Sequence, residues 1–208
     1  MRLRYKPWAR ELIANHRDLA LNEDDLDSLP SFEYLELGCG CGEFLIKKAQ
    51  ANPNKNYLGV EINYIAFAIA VKKLVSEEVI PHNIHFINAD ANKLFAKIKP
   101  GSLQAVYLNF NDPWPKKKHH KRRLTYPSRL QLYFDLLKVG GKVIYKSDND
   151  VYFNDSCRYF KEFNKFHLII NENYVKLDEG DVMSEYEQKF RKLNQPIHQI
   201  IGIKEQDN

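Results

Sequence analysis

Residues Leu35–Phe44 read LELGCGCGEF, an apolar run that breaks into three glycines alternating with two cysteines. Glycine-rich loops after strands cradle dinucleotides, nucleotide phosphates or other adenosine cofactors, whereas a C-x-C pair can bind metal or do redox chemistry. The dinucleotide pattern G-x-G-x-x-G is not met, because Gly38, Gly40 and Gly42 are followed by Glu43 where the third glycine would stand. A carboxylate there, opening the helix, faces a pyrophosphate unfavourably. No G-K-[ST] follows, so the loop is not a Walker A motif either. Glu36, two residues ahead of the first glycine, suits a cationic ligand. Glu61 lies nineteen residues beyond Gly42, where a carboxylate can accept both hydroxyls of a ribose. Asp90 can accept from the exocyclic amine of adenine. An adenosine with no phosphate and a positive tail satisfies all of these, and S-adenosylmethionine is such a molecule. Each residue alone has a plainer explanation: Asp90 as a helix cap, Glu36 and Glu61 as solvated strand ends. Four features falling in order after three consecutive strands favour the joint reading. Cys39 and Cys41 lack a second ligand pair at zinc spacing, and read as small fillers that let the backbone approach a ligand.

A second constellation begins at Asn109, where NFNDPWP runs into KKKHHKRR. Within Lys116–Arg123, six of eight residues are Lys or Arg and the other two are His. Charge runs are usually solvated faces. On the rim where a sheet presents its ligands, phosphate binding is favoured instead. Arg2, Arg4, Lys6 and Arg10 add positive charge near the start. Trp114 either stacks a base or fills a core position in a proline-bracketed turn. His119 and His120 have no third ligand partner, so no metal site is expected. Asp148 can accept from N1–H and N2–H of guanine, or cap a helix. Ser184 and Glu187 have the spacing of a capping box, S-x-x-E.

The elements that must position these residues are strands alternating with helices. FEYLEL, NYLGVEI, IHFINA, AVYLNF and KVIYKS read as strands, each followed by a helical segment. One helix is expected from Asn63 to Val79, ended by Pro81, and another over SRLQLYFDLLK, ended by Gly140–Gly141. FHLIIN and IHQIIGI are later strands, SEYEQKFRKLN is a short helix, and Leu177–Met183 is expected to be a mobile loop. Such alternation gives a mostly parallel sheet with helices on both faces, with ligands outside the carboxyl ends of the strands. The 208 residues are expected to form a single domain over 1–208, with 1–30 as a basic N-terminal arm and helix. Composition is ordinary, at 44% hydrophobic and 28% charged with net charge +4. Three cysteines make no disulfide framework. No signal peptide is read at the start, and the longest apolar run, YIAFAIAV, is too short to span a membrane. The expected location is the cytoplasm.

Together with the E-x-G-x-G-x-G loop, FNDPWPKKKHHKRRLTYP resembles the bacterial tRNA (guanine-N7)-methyltransferase family. MRLRYKPWA, KSDN, and SEYEQKF followed by QPI carry the same resemblance, which spans nearly the whole chain. It implies an α/β, Rossmann-like, doubly wound and mostly parallel seven-stranded sheet. It also implies S-adenosyl-L-methionine as cofactor and methylation of guanine N7 in the tRNA variable loop, at position 46 in standard tRNA numbering. By position, Glu36, Glu61, Asp90 and Asp112 match the cofactor-binding acids, with Gly38 and Gly40 in the loop between them. Asp112 also matches the residue assigned as catalytic. Lys116, Asp148, Ser184, Glu185, Tyr186 and Glu187 match substrate-contacting positions. Lys118, His119, His120, Lys121, Arg122 and Arg123 match an RNA-contacting region. A monomer or homodimer with no metal and no membrane partner is expected. Departures are small: the usual T-x-Y-E is Ser184–Glu187, the usual T-D is Ser147–Asp148, and the segment between the N-terminal helix and the first strand is short. Two other readings stay open: a methyltransferase for another RNA nucleobase, because D-P-W resembles the loops of amino-group methylators, and an RNA-binding module with a vestigial cofactor site.

Overall fold

The computed structural model describes residues 4–175 and 182–206. Arg2 and residues 177–181 of the expected mobile loop lie outside the described residues. The chain divides into two compact units, Met1–Ile98 and Lys99–Asn208.

The first unit contains α1 (Ala9–Asn15), β1 (Ala20–Asn22), β2 (Tyr34–Leu37), α2 (Glu43–Ala51), β3 (Tyr57–Val60), α3 (Tyr64–Val75), β4 (Ile84–Asn88) and α4 (Ala91–Phe95). Its strands lie in the order β1-β4-β3-β2, and every pairing is parallel. All four residues of β3 are buried, as expected of a strand covered on both faces. Because the strands are parallel, Leu37, Val60 and Asn88 end at one edge, and the glycine loop, Glu61 and Asp90 follow from there. The apolar helix α3 buries Ala66, Phe67, Ala68, Ala70, Val71 and Leu74. It is capped by Asn63, whose Oδ1 accepts from the N–H groups of Ile65 and Ala66. It stops at Val75, short of the expected Val79: the Ser76 hydroxyl turns back to donate to the Lys72 carbonyl, and the polar Glu77 and Glu78 follow. Strand β1 falls inside the expected N-terminal arm. Its three residues pair with Phe86, Ile87 and Asn88, a length too short to display an alternation.

The second unit contains β5 (Leu103–Asn109), α5 (Pro127–Leu136), β6 (Leu137–Ser147), α6 (Asp150–Phe163), β7 (His167–Asn171), α7 (Glu185–Lys192) and β8 (His198–Ile203). Strand order is β5-β6-β8-β7, with β5 parallel to β6 and β8 antiparallel to both β6 and β7. The fold is α/β and mostly parallel, as expected. The described residues hold eight strands rather than seven, β1 being one that the sequence did not display. Helix α5 does not run on to Gly140–Gly141. It ends at Leu136, and β6 passes through both glycines. A side chain at Gly141 would bring its Cβ to 2.8 Å from the Lys138 carbonyl and 3.0 Å from that of Leu103, so the glycine serves close strand approach rather than a helix stop. Helix α6 turns Tyr152, Phe153, Ser156, Tyr159 and Phe160 inward, the spacing of one helical face. Among the described residues, no helix is long and apolar enough to cross a membrane.

Candidate active site

In the first unit the glycine loop takes a shape closed to other residues. Gly38, Gly40 and Gly42 all have positive φ, at 69°, 56° and 77°. At Gly40 an added Cβ would meet nothing within 4 Å, so that backbone faces open space. At Gly42 it would lie 2.6 Å from the Phe86 ring and 2.7 Å from the Ala70 methyl, so this glycine lets α2 seat on β4 and α3. Glu61 pins the loop: one carboxylate oxygen accepts the Gly40 N–H at 3.0 Å and the other the Asn63 N–H at 2.7 Å. An ionised carboxylate has about four acceptor positions, the kind of group that a ribose's hydroxyls seek. Glu36 is buried at 3% exposure at the end of β2. Glu43, at the start of α2, is held by Lys47 at 2.5 Å and Lys73 at 3.4 Å.

Asp90 does cap α4, its Oδ1 accepting from the Asn92 N–H at 2.9 Å. It also borders a cavity of about 350 Å³ lined by Ile62, Asn88, Ala89 and residues 22–24. Ile62 is 72% exposed. A bare apolar wall beside a carboxylate acceptor fits a flat base with an amine edge. The residues present therefore fit an adenosine ligand. Burial pushes the Cys39 thiol well above its usual range, and Cys41 is raised by burial as well. Protonated thiols of this kind are poor nucleophiles and poor metal ligands.

In the second unit Asn109 pairs with Lys146 across β5 and β6, so the D-P-W segment and Asp148 leave the same edge. Two non-glycine residues flanking Asp112 have positive φ, Phe110 at 50° and Trp114 at 40°. Conformations of this kind cost about 1–3 kcal/mol each and persist where neighbours over-determine them. Phe110 is held by its N–H on the Lys146 carbonyl, and by its ring against Tyr186 and Phe190, at centroid distances of 6.1 and 5.7 Å. Asp112 itself is exposed.

The basic run is not a plain loop. Lys117–Arg122 form 3₁₀ turns, in which residues three apart share a side. Lys118 and Lys121 are exposed. His119 and Arg122 both meet Trp114, the imidazole edge-on at 5.9 Å and the guanidinium over the ring at 4.9 Å. His120 and Arg123 turn inward, His120 approaching the Tyr159 hydroxyl at 3.5 Å. Arg123 is only 1% exposed, a departure from the phosphate-facing run that the sequence suggested.

Asp148 is half-buried, with Gln195 donating to it at 3.4 Å. The cap of α6 is Asn149, whose Oδ1 accepts the Tyr152 N–H, so capping does not account for Asp148. Ser184 caps α7, accepting from the Glu187 N–H at 3.1 Å. The Glu187 carboxylate is 1% exposed and bound by Lys146 at 3.1 Å and Arg191 at 2.8 Å. Lys146, equally buried, lies over the Tyr174 ring at 4.7 Å. Tyr186 stands 55% exposed on the same helix.

The family described as "Putative methyltransferase" matches residues 31–200. The tRNA (guanine-N(7)-)-methyltransferase of Bacillus subtilis is 37% identical, with 95% of this chain and 96% of that protein covered. The protein of that description from Lactiplantibacillus plantarum is 39% identical over 97% of this chain and 98% of the relative. This chain belongs to the tRNA (guanine-N(7)-)-methyltransferase family. A solved antibiotic-related methyltransferase shares the fold of this family member with a TM-score of 0.60, at 17% identity over 88% of this chain and 93% of that one. Sequence reasoning about this tRNA (guanine-N(7)-)-methyltransferase family member missed Lys146. The signal was there, because a lysine inside a strand as apolar as KVIYKS requires a buried carboxylate partner.

Proposed function

We propose that the protein transfers a methyl group from S-adenosylmethionine to N7 of a guanine in the variable loop of tRNA, at position 46, in the cytoplasm. The observation that carries this reading is the set of acids following three parallel strands, beside a base-sized cavity, in a chain 37% identical to a tRNA (guanine-N(7)-)-methyltransferase. When bound, S-adenosylmethionine supplies an electrophilic methyl on a sulfonium.

Glu61 accepts the ribose hydroxyls, Asp90 the adenine amine, and Glu36 balances the cationic tail, with Gly38 and Gly40 giving the backbone room. Asp112 completes the cofactor-binding acids. Guanine N7 carries an in-plane lone pair and no proton, so no base is needed to strip the nucleophile. What is needed is in-line placement and a negative group where the accepting ring gains positive charge. Asp112 has that role, as an electrostatic and positioning group rather than a general base. Lys116, Asp148, Ser184, Glu185 and Tyr186 hold the substrate, with Tyr186 presenting an exposed ring, and Glu187, closed off by Lys146 and Arg191, supports them from within. Lys118 and Lys121 meet phosphates.

The test is incubation with the methyl donor and unmodified tRNA, followed by borohydride and aniline treatment, which cuts the strand at N7-methylguanine. A cut at the variable-loop guanine is expected, and methyl transfer to another base alone counts against the reading. Asp112→Asn is expected to abolish most turnover while leaving the thermal transition in place, and wild-type turnover in Asp112→Ala would remove Asp112 from its role.

A further inference from the structure

Arg123 is the last cation of a run of eight basic residues, and it is almost fully buried. Its Nε donates to the Pro113 carbonyl at 2.7 Å. Its Nη1 donates to Asp155 Oδ2 on α6 at 2.6 Å, and its guanidinium lies 5.0 Å over the Tyr152 ring. Its own N–H closes the 3₁₀ segment onto the His120 carbonyl at 3.0 Å. The guanidinium is thereby enclosed by an acid, a carbonyl and an aromatic face of the protein itself.

We propose that Arg123 is a positioning residue for Asp112: a strut from α6 that fixes the D-P-W turn, rather than a contact to RNA phosphate. The proposal rests on the reading of Asp112 given above. Pro113 directly follows Asp112, and a proline has no N–H, so its carbonyl is the backbone hydrogen-bonding group that this residue offers. The two positive-φ residues that bracket the turn make it a shape the chain does not keep unaided. The planar guanidinium fork reaches the carbonyl and the carboxylate in two directions at once, which a lysine ammonium on a flexible stem does not reproduce. The foot of the strut is firm: burial works against ionisation of Asp155, but hydrogen bonds from Arg123 and Arg158 outweigh it and hold the carboxyl below its ordinary value.

The experiment compares Arg123→Lys and Asp155→Asn with Lys118→Ala, a substitution in the exposed part of the run. Three quantities are read in each: single-turnover methyl transfer at saturating tRNA, tRNA affinity as a function of salt, and acrylamide quenching of Trp114. The last uses a Trp8→Phe background, which leaves Trp114 as the sole tryptophan. Arg123→Lys is expected to slow single turnover about 100-fold, the scale set by a misplacement of about 1 Å. It leaves the salt slope of tRNA binding unchanged and raises Trp114 quenching. Asp155→Asn moves the same readouts in the same direction by less. Lys118→Ala lowers the salt slope by about one. A lowered salt slope in Arg123→Gln, which unlike Arg123→Lys removes the charge, together with a wild-type saturating rate overturns the proposal in favour of a phosphate contact. Wild-type values on all three readouts overturn it too, as does loss of the thermal transition in both strut variants. The quenching measurement needs no turnover. If the unaltered chain makes no N7-methylguanine, the functional reading fails, while the strut still stands or falls on Trp114.

Discussion

The glycine loop and the D-P-W turn both bend the backbone into positive φ, and they do so by opposite means. Gly38, Gly40 and Gly42 reach that region without steric cost, and Glu61 fastens the loop through the Gly40 N–H. Phe110 and Trp114 reach it against their own side chains, and the restraint comes from those same side chains. Phe110 is packed by Tyr186 and Phe190, Trp114 is covered by Arg122, and Pro113 is held by Arg123. One loop is shaped by what its residues lack and the other by what surrounds it. The first is vulnerable to added atoms, the second to removed partners.

The largest test of that contrast is Lys146→Met. Lys146 and Glu187 are 2% and 1% exposed, and the pair ties β6 to the helix that carries Tyr186 and Phe190. Removing one partner of a buried pair costs about 3–5 kcal/mol, to be read by denaturant unfolding. A loss near zero would show that α7 holds Phe110 without this pair. Glycine substitutions come next. Gly42→Ala meets both a positive φ and the Phe86 ring, and overpacking of this kind costs about 1–3 kcal/mol beyond the strain. Gly40→Ala meets only the strain, about 1–2 kcal/mol. Denaturant unfolding without the methyl donor should show the heavier loss of stability at Gly42, and equal losses would mean that strain alone shapes the loop. Ser184→Ala is the smallest, about 1 kcal/mol of cap energy. A larger effect on tRNA binding than on thermal stability would separate substrate contact from capping.

The same contrast explains what the sequence displayed. Glycine at fixed spacing and acids at strand ends are visible in one dimension, because short apolar runs locate the strand ends and the chemistry follows directly. The supports of the D-P-W turn come from α6, α7 and β6, tens of residues away, and no local pattern joins Pro113 to Arg123 or Phe110 to Phe190. Arg123 was grouped with Lys118 because charge alone does not distinguish faces. Only the 3₁₀ period, invisible in a run where nearly every residue is basic, separates them. Gly140 and Gly141 read as a helix stop because the approach of Lys138 and Leu103 to Gly141 is tertiary. Lys146 is legible as a buried charge that needs a partner, but that the partner is Glu187, 41 residues on, is tertiary.

The three-sided 3₁₀ segment makes spacing, rather than composition, the quantity that drift must respect. Exchanging lysine for arginine at 118 or 121 leaves the inward positions untouched. Inserting one residue between Trp114 and Arg123 would rotate everything beyond it by about a third of a turn. Arg122 would then leave the Trp114 ring for the inward position, and Arg123 would be carried out of it. Two chains with identical counts of basic residues could therefore differ in competence, and a comparison of net charge would not tell them apart.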